Sequence, residues 1–221
     1  MKAMILAAGR GERLRPLTDH TPKPLVDVGG RPLIGHHLQA LAAAGFGEVV
    51  INVAYMADQV MAALGTGDAY GLDIHYSVET PGALDTGGGV RQALSLLDDA
   101  PFALVSADVW SDFDYAHLRH MDGSKGMHAV LVDNPPHHGQ GDFGLQDGRL
   151  VDAEPRLTYA GIGVYAPALF RSQPAQRFPL AAVIRQAMAA GTARAVRHTG
   201  RWIDVGRPSA LEAARVAALQ A

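Results

Sequence analysis

The stretch "AMILAAGRGERLRPLTDHTPKPL", residues 3–25, decides how the chain is read. Its first six residues form an unbroken apolar run, the pattern of a strand buried on both faces. The run stops at Gly9. Two glycines, three arginines and a lysine then follow by residue 23, with prolines at 16, 22 and 24 that deny a long helix. A buried strand that empties into such a loop places it beyond the carboxyl edge of a sheet, where open parallel sheets bind ligands. Gly9 and Gly11 tolerate positive φ and let backbone N–H groups approach an anion with no Cβ in the way. Arginine adds a planar, two-pronged donor and lysine a point charge.

Outward from this stretch, strands and helices alternate. Residues 32–45, "PLIGHHLQALAAAG", open on proline and close on glycine; Leu33, His37, Leu41 and Ala44 share one helical face, thickened by Ile34 and Leu38. The runs 48–55 and 73–79 read as strands, 57–65 as a short helix and 88–97 as another. "FALVSADVW", 102–110, reads as one fully buried strand. This order means a parallel sheet with helices on both faces. The second half is less regular. Strands are expected at 128–135, 158–167, 193–199 and 201–206, a hairpin over 141–154, and helices over 179–191 and 208–221.

With 221 residues, 48% of them hydrophobic, the chain suits one sizeable core and is short for two. Its formal net charge of -3 argues against a general nucleic-acid binder. Yet residues 1–31 hold Lys2, Arg10, Arg13, Arg15, Lys23 and Arg31 against Glu12, Asp19 and Asp27, a local net of +3. That placement suits an anionic ligand; plain surface decoration is the alternative. The absence of cysteine excludes disulfides, thiolate zinc sites and a cysteine nucleophile. The opening apolar run leads into charge rather than a cleavage site, and no apolar run reaches the ~20 residues of a membrane span. A soluble, cytoplasmic protein with neither nucleic-acid nor membrane partners is expected.

Two familiar phosphate loops fail here. A dinucleotide fingerprint needs a third glycine where Leu14 stands, and Pro16 forbids the helix that would follow, which disfavours a Rossmann dehydrogenase. A P-loop needs Gly-Lys-Ser/Thr, which is absent. Elsewhere, Asp108 in "VSADVW" and Asp204 in "RWIDVGRP" are acidic residues in apolar strands. Convergent on one phosphate they would suit Mg²⁺, which takes hard oxygen ligands. Equally, Asp108 could cap a turn and Asp204 could pair with Arg201 or Arg207. "ETPGALDTGGGVRQAL", 79–94, puts three glycines at a helix start, open to an anion or a base edge. The adjacent His137 and His138 in "DNPPHHGQGDFG" suit a solvated loop better than a metal site, since loop neighbours rarely chelate one ion.

One pattern does match. The run Leu6-Ala7-Ala8-Gly9-x-Gly11-x-Arg13-Leu14-x-Pro16-Leu17-Thr18, followed by Pro22-Lys23, closely resembles the signature of sugar-1-phosphate nucleotidyltransferases. The segment "WIDVG" reproduces that family's late W-x-D-x-G motif. The resemblance implies an α/β fold, a Rossmann-like three-layer sandwich with a mostly parallel mixed sheet, the nucleotide-diphospho-sugar transferase fold. It implies one domain over 1–221, with residues 1–110 on the nucleotide and 111–221 on the sugar. It gives Arg13 and Lys23 catalytic roles and puts Mg²⁺ on Asp108 and Asp204. Nucleotide contacts fall to Ala7, Ala8, Gly9, Gly11, Glu12, Arg13, Lys23, Glu79, Leu84, Asp85, Thr86, Gly88 and Ser106. Sugar contacts fall to Asp142, Glu154, Gly161 and Asp204. The chain departs from the pattern at Ala107, where the family often has glycine, at Asp85-Thr86-Gly87, and in lacking the lysine of an E-K-P segment at Glu154-Pro155.

The implied reaction joins an NTP, with UTP expected, to a sugar-1-phosphate, with a muramic sugar expected and pyrophosphate released. For that sugar the lactyl carboxylate asks for a cation, for which Arg156, Arg201 and Arg207 are candidates. Guanylyl transfer to mannose-1-phosphate, thymidylyl transfer to glucose-1-phosphate, and an inactive nucleotide-sugar-binding regulator are the alternatives. Monomer and homodimer are both open.

Overall fold

The computed structural model of the protein describes residues 1–80 and 82–220. Pro81, inside the 79–94 segment, and Ala221, at the end of the expected last helix, lie outside the described residues. Strands β1 (Ala3–Leu6), β2 (Glu48–Val53) and β3 (Asp73–Val78) alternate with helices α1 (Leu33–Ala43) and α2 (Ala57–Leu64). Then come α3 (Asp85–Ala93), β4 (Phe102–Ser106), β5 (Val109–Ser111) and β6 (Met127–Val132). The second half holds β7 (Phe143–Gln146), β8 (Arg149–Val151), β9 (Arg156–Tyr165), α4 (Ala168–Arg171), α5 (Leu180–Ala189), β10 (Ala193–Arg197), β11 (Trp202–Asp204) and α6 (Pro208–Ala218).

The main sheet has nine strands in the order β3-β2-β1-β4-β9-β6-β10-β8-β7. The strands from β3 to β4 run parallel, as do β6 and β10, while β9 is antiparallel to both β4 and β6. β7 also pairs with the start of β9, Phe143 opposite Leu157, so the far end of the sheet curls back on itself. Alternate residues of β1 serve opposite layers. Ala3 and Ile5 join a core with Ile34, Leu38, Val49 and Val60 of the α1/α2 side. Met4 joins Val90, Leu104, Val183 and Ile184 on the α3/α5 side. Burial on both faces is why these strands read as continuous apolar runs.

Two boundaries differ from expectation. Helix α3 begins at Asp85, three residues before the expected 88, so Gly87, Gly88 and Gly89 all lie inside it. The run 102–110 is two strands, β4 and β5, broken at Ala107-Asp108, and β5 leaves the main sheet to pair with β11 as a separate ribbon.

Candidate active site

The loop after β1 is built from three single 3₁₀ turns, Glu12–Leu14, Leu17–Asp19 and Lys23–Leu25. Gly11 sits at φ +65°, and a Cβ there would come within 3.0 Å of Cβ of Lys23 and Cγ2 of Thr18. Glycine is thus demanded twice, by the left-handed backbone and by the close passage of Lys23. The Thr18 hydroxyl donates to the Gly11 carbonyl at 2.9 Å and ties the loop together. Leu14 anchors it in a third, smaller core with Val26, Leu33, Trp110, Val205 and Leu211. Trp110 lies in β5 and Val205 follows β11, so the contacts that seat the loop also seat the ribbon carrying both aspartates.

The break after Ser106 lifts Asp108 out of the buried strand the sequence suggested, leaving its side chain half-exposed. In the ribbon, Asp204 stands opposite Val109, and the Val205 N–H donates to the Asp108 carbonyl at 2.8 Å. The two aspartates therefore sit at the same end of the ribbon, Asp204 closing β11 and Asp108 just ahead of β5. Lys23 Nζ donates to Asp108 Oδ2 at 2.9 Å, and only 7% of Lys23 is exposed. A buried ammonium costs several kcal/mol unless paired, and Asp108 supplies that pairing. Arg13 Nη2 lies 3.8 Å from Asp204 Oδ2, and His137 Nε2 lies 3.5 Å from the same oxygen. Those are the partners of Asp204. Arg201 turns away and donates to Gln220 at 3.0 Å.

A cavity of about 510 Å³ is lined by Ala7, Ala8, Gly9, Gly11, Glu12, Arg13, Lys23, Asp85, Thr86, Ser106 and Asp108. A second, of about 650 Å³, runs along β9 and α5 and takes in Asp142, Gly161 and Asp204, with His137, His138, Arg156, Arg185 and Arg207. Arg13, Thr86, Ser106 and Asp108 line both, so the two are lobes of one cleft that meet at Asp108. Thr86 is braced there by the Leu180 N–H, which donates to its hydroxyl at 2.8 Å. Asp142 is held by His138 Nε2 at 3.0 Å and by the Tyr159 N–H at 2.8 Å. The two histidines thus reach carboxylates in the cleft from a loop that is itself largely exposed, as expected.

Four expected contact residues do not line either lobe. Glu79 is buried; Asn52 Nδ2 and the Leu84 N–H donate to its two oxygens, each at 2.6 Å. Asn52 Oδ1 in turn accepts from the Ala7 N–H at 2.8 Å. Glu79 and Leu84 therefore brace the wall through Asn52 instead of facing a base. The Gly87 and Gly88 N–H groups both donate to the Phe178 carbonyl. A Cβ on Gly88 would meet the Gln176 carbonyl at 2.7 Å, so that glycine admits the segment before α5 rather than a ligand. Glu154 turns outward, with Oε1 3.3 Å from Arg156 Nε. Sequence reasoning missed Asn52, Arg177 and Gly206, which line the nucleotide lobe, and Arg185 in the other. Two of these carried a signal: Asn52 as the one polar residue in the apolar run 49–54, and Gly206 as the final glycine of the W-x-D-x-G segment.

Residues 2–148 match the nucleotidyl transferase family, and the chain belongs to that family. More particularly, it is 47% identical to the N-acetylmuramate alpha-1-phosphate uridylyltransferase of Neisseria meningitidis serogroup B, over 99% of this chain and 98% of that one. It is 36% identical to the enzyme of the same name from Caulobacter vibrioides, over 96% and 94%. A mannose-1-phosphate guanyltransferase from Emericella nidulans is 34% identical over 94% of this chain, which spans 61% of that longer protein. Among solved structures, a Bacillus anthracis protein assigned as a glucose-1-phosphate thymidylyltransferase superposes with a TM-score of 0.89 over all of this chain and 96% of that one, at 22% identity. That likeness supports the fold read from the sequence.

Proposed function

We propose that the protein transfers a uridylyl group from UTP to a sugar-1-phosphate, with N-acetylmuramate α-1-phosphate as the sugar. The observation that carries this reading is the junction of the two lobes. Arg13, Lys23, Asp108 and Asp204 converge where a triphosphate in one lobe would meet a sugar phosphate in the other. The choice of base and sugar is supported by near full-length similarity to two proteins named for that activity.

In this reaction an oxygen of the sugar phosphate attacks the α-phosphorus of UTP in line. A new P–O bond forms, the bond to the bridging β-oxygen breaks, and pyrophosphate leaves with that electron pair. The nucleophile is already an anion at neutral pH, so no general base is needed. The obstacle is repulsion between two polyanions, and catalysis is positioning with charge neutralisation. The backbone amides of the 9–11 turn and Arg13 hold the departing phosphates. Lys23, anchored at the junction, donates to the α-phosphoryl oxygens as charge builds there.

Two carboxylates at one end of the β5/β11 ribbon fit the hard-oxygen preference of Mg²⁺. Among the described residues no three His, Asp or Glu side chains are grouped to hold an ion by themselves. Asp108 and Asp204 would therefore hold the metal together with substrate oxygens and water. When bound, Mg²⁺ supplies further neutralisation of phosphate charge.

The test is pyrophosphate release over a grid of UTP, GTP, dTTP and ATP against muramic, N-acetylglucosamine, mannose and glucose 1-phosphates. The expected fastest pair is UTP with the muramic sugar. Faster turnover with GTP and mannose-1-phosphate would overturn the assignment.

A further inference from the structure

A muramic sugar is a glucosamine whose O3 carries a lactyl ether, that is, a methyl group and a carboxylate on one carbon. Resting on the proposed reaction, we infer that Arg185 reads that carboxylate and so sets the choice of sugar. Most of the cations of the sugar lobe are engaged. Arg13 and His137 lie against Asp204, and His138 against Asp142. Arg156 is spent on Asp152 and Glu154. Arg201, considered from the sequence, does not line the lobe. Among the described residues Arg185 and Arg207 line the lobe without an ion pair.

Position separates these two. Arg207 comes three residues after Asp204 and directly after Gly206, whose Cα carries the Arg13 guanidinium close against it. It flanks the end of the lobe where the sugar's phosphate must sit. Arg185 belongs to α5. Leu180 begins that helix with its N–H on the Thr86 hydroxyl, at the junction of the lobes. Arg185 is five residues further along, about 7.5 Å down the axis. A pyranose spans a comparable length from its anomeric phosphate to its O3 substituent.

The wall that leads to Arg185 matches the rest of the group. Ala181 lines the lobe one turn before Arg185 on the same helix face, and Leu180 and Ile184, largely buried in the core, border the lobe beside it. An apolar strip ending in an unpaired guanidinium complements a methyl and a carboxylate borne on one carbon. A neutral hexose phosphate has nothing to offer it. An arginine with no protein carboxylate keeps its two-pronged donation free for a ligand's. Sequence periodicity hides it, because a charged residue on an amphipathic helix reads as solvated surface.

The experiment compares kcat/KM for N-acetylmuramate-1-phosphate and N-acetylglucosamine-1-phosphate, with UTP, in the wild type and in R185Q, R185K and R207Q. Far-UV circular dichroism and melting check each fold. The wild type is expected to prefer the carboxylated sugar. R185Q should reduce that preference on the order of ten- to a hundredfold, mainly through KM, as for a lost hydrogen bond to a charged group. R185K, which keeps the charge, should restore part of it, and R207Q should lower both sugars together. If R185Q keeps the wild-type preference, or if R207Q abolishes it instead, the role given to Arg185 is wrong while the proposed reaction stands. If the wild type itself shows no preference for the carboxylated sugar, the muramate reading fails and this inference with it.

Discussion

Lys23 Nζ and Asp108 Oδ2 stand 2.9 Å apart at the junction of the two lobes, the lysine buried and the aspartate half-exposed. The pair gives one carboxylate two claimants, an ammonium and a divalent cation. Removing the ammonium should therefore raise the intrinsic attraction of Asp108 for Mg²⁺ even as it removes a donor from the reacting phosphate. For Lys23→Met we expect kcat to fall on the order of 10²-fold or more, as for other preorganised donors. Mg²⁺ alone should bind more tightly than to the wild type, read by calorimetric titration. Unchanged turnover in the folded variant would remove Lys23 from the mechanism.

Asn52 bridges β1 and the wall of the cleft: the Ala7 N–H donates to it, and it donates to Glu79, which also accepts from Leu84. Both side chains are 2% exposed, so an unmet partner cannot turn to water. Asn52→Leu strands the Ala7 donor and one Glu79 oxygen. The expected cost is about 1–3 kcal/mol, lowering Tm by roughly 2–12 °C for a domain of this size. Because Ala7 opens the nucleotide loop, KM for the nucleotide should rise as well. A Tm within error of the wild type would show the network to be idle.

What the sequence made legible was what acts locally. The burial of β1, the left-handed turn at Gly11 and the proline and glycine that flank α1 and α5 depend on residues a few places apart. The exposure of Asp108 was not legible, since it depends on β5 leaving the sheet to join β11, almost a hundred residues later. The glycines 87–89 read as open backbone because small residues look alike whether they admit a ligand or a neighbour. Here a Cβ on Gly89 would meet Glu79 Oε1 at 2.5 Å, and Gly87 lies against Phe178. Glu154 was read toward the sugar, but its side chain lies outside both lobes against Arg156, a contact the sequence did not signal.

Gly206 offers a separation of stability from activity. A Cβ there would run into the Arg13 guanidinium and reach within 3.0 Å of Asp204 Oδ1. The first obstacle is the far end of a flexible, largely exposed side chain that can swing away, so Gly206→Ala should change stability by no more than about 1 kcal/mol. The displaced Arg13 would no longer sit over the junction. We expect kcat/KM for UTP to fall on the order of tenfold or more, with Tm nearly constant. Loss of stability in proportion to activity would instead mark Gly206 as a packing residue.

His37 makes stability depend on pH. It lies in α1, 3% exposed, with Nδ1 2.7 Å from the Tyr115 hydroxyl and Nε2 without a hydrogen-bond partner. Burial holds its pKa down at about 4, with the nearby Val109 carbonyl offsetting part of the effect. The ring is therefore neutral in the folded protein and has an ordinary pKa near 6.5 once unfolded. Above that value neither state takes a proton and stability is full. As pH falls from about 6.5 toward 4 the unfolded state binds the extra proton, and stability drops by up to about 1.4 kcal/mol per pH unit, about 3 kcal/mol in all. Burial also lowers the pKa of His36 and His128, which add smaller losses of the same sign. Urea midpoints taken at pH 7, 6 and 5 should fall in the wild type and flatten most in His37→Gln, which keeps a polar partner for Tyr115. Parallel curves for the two proteins would show that His37 is not the group being titrated.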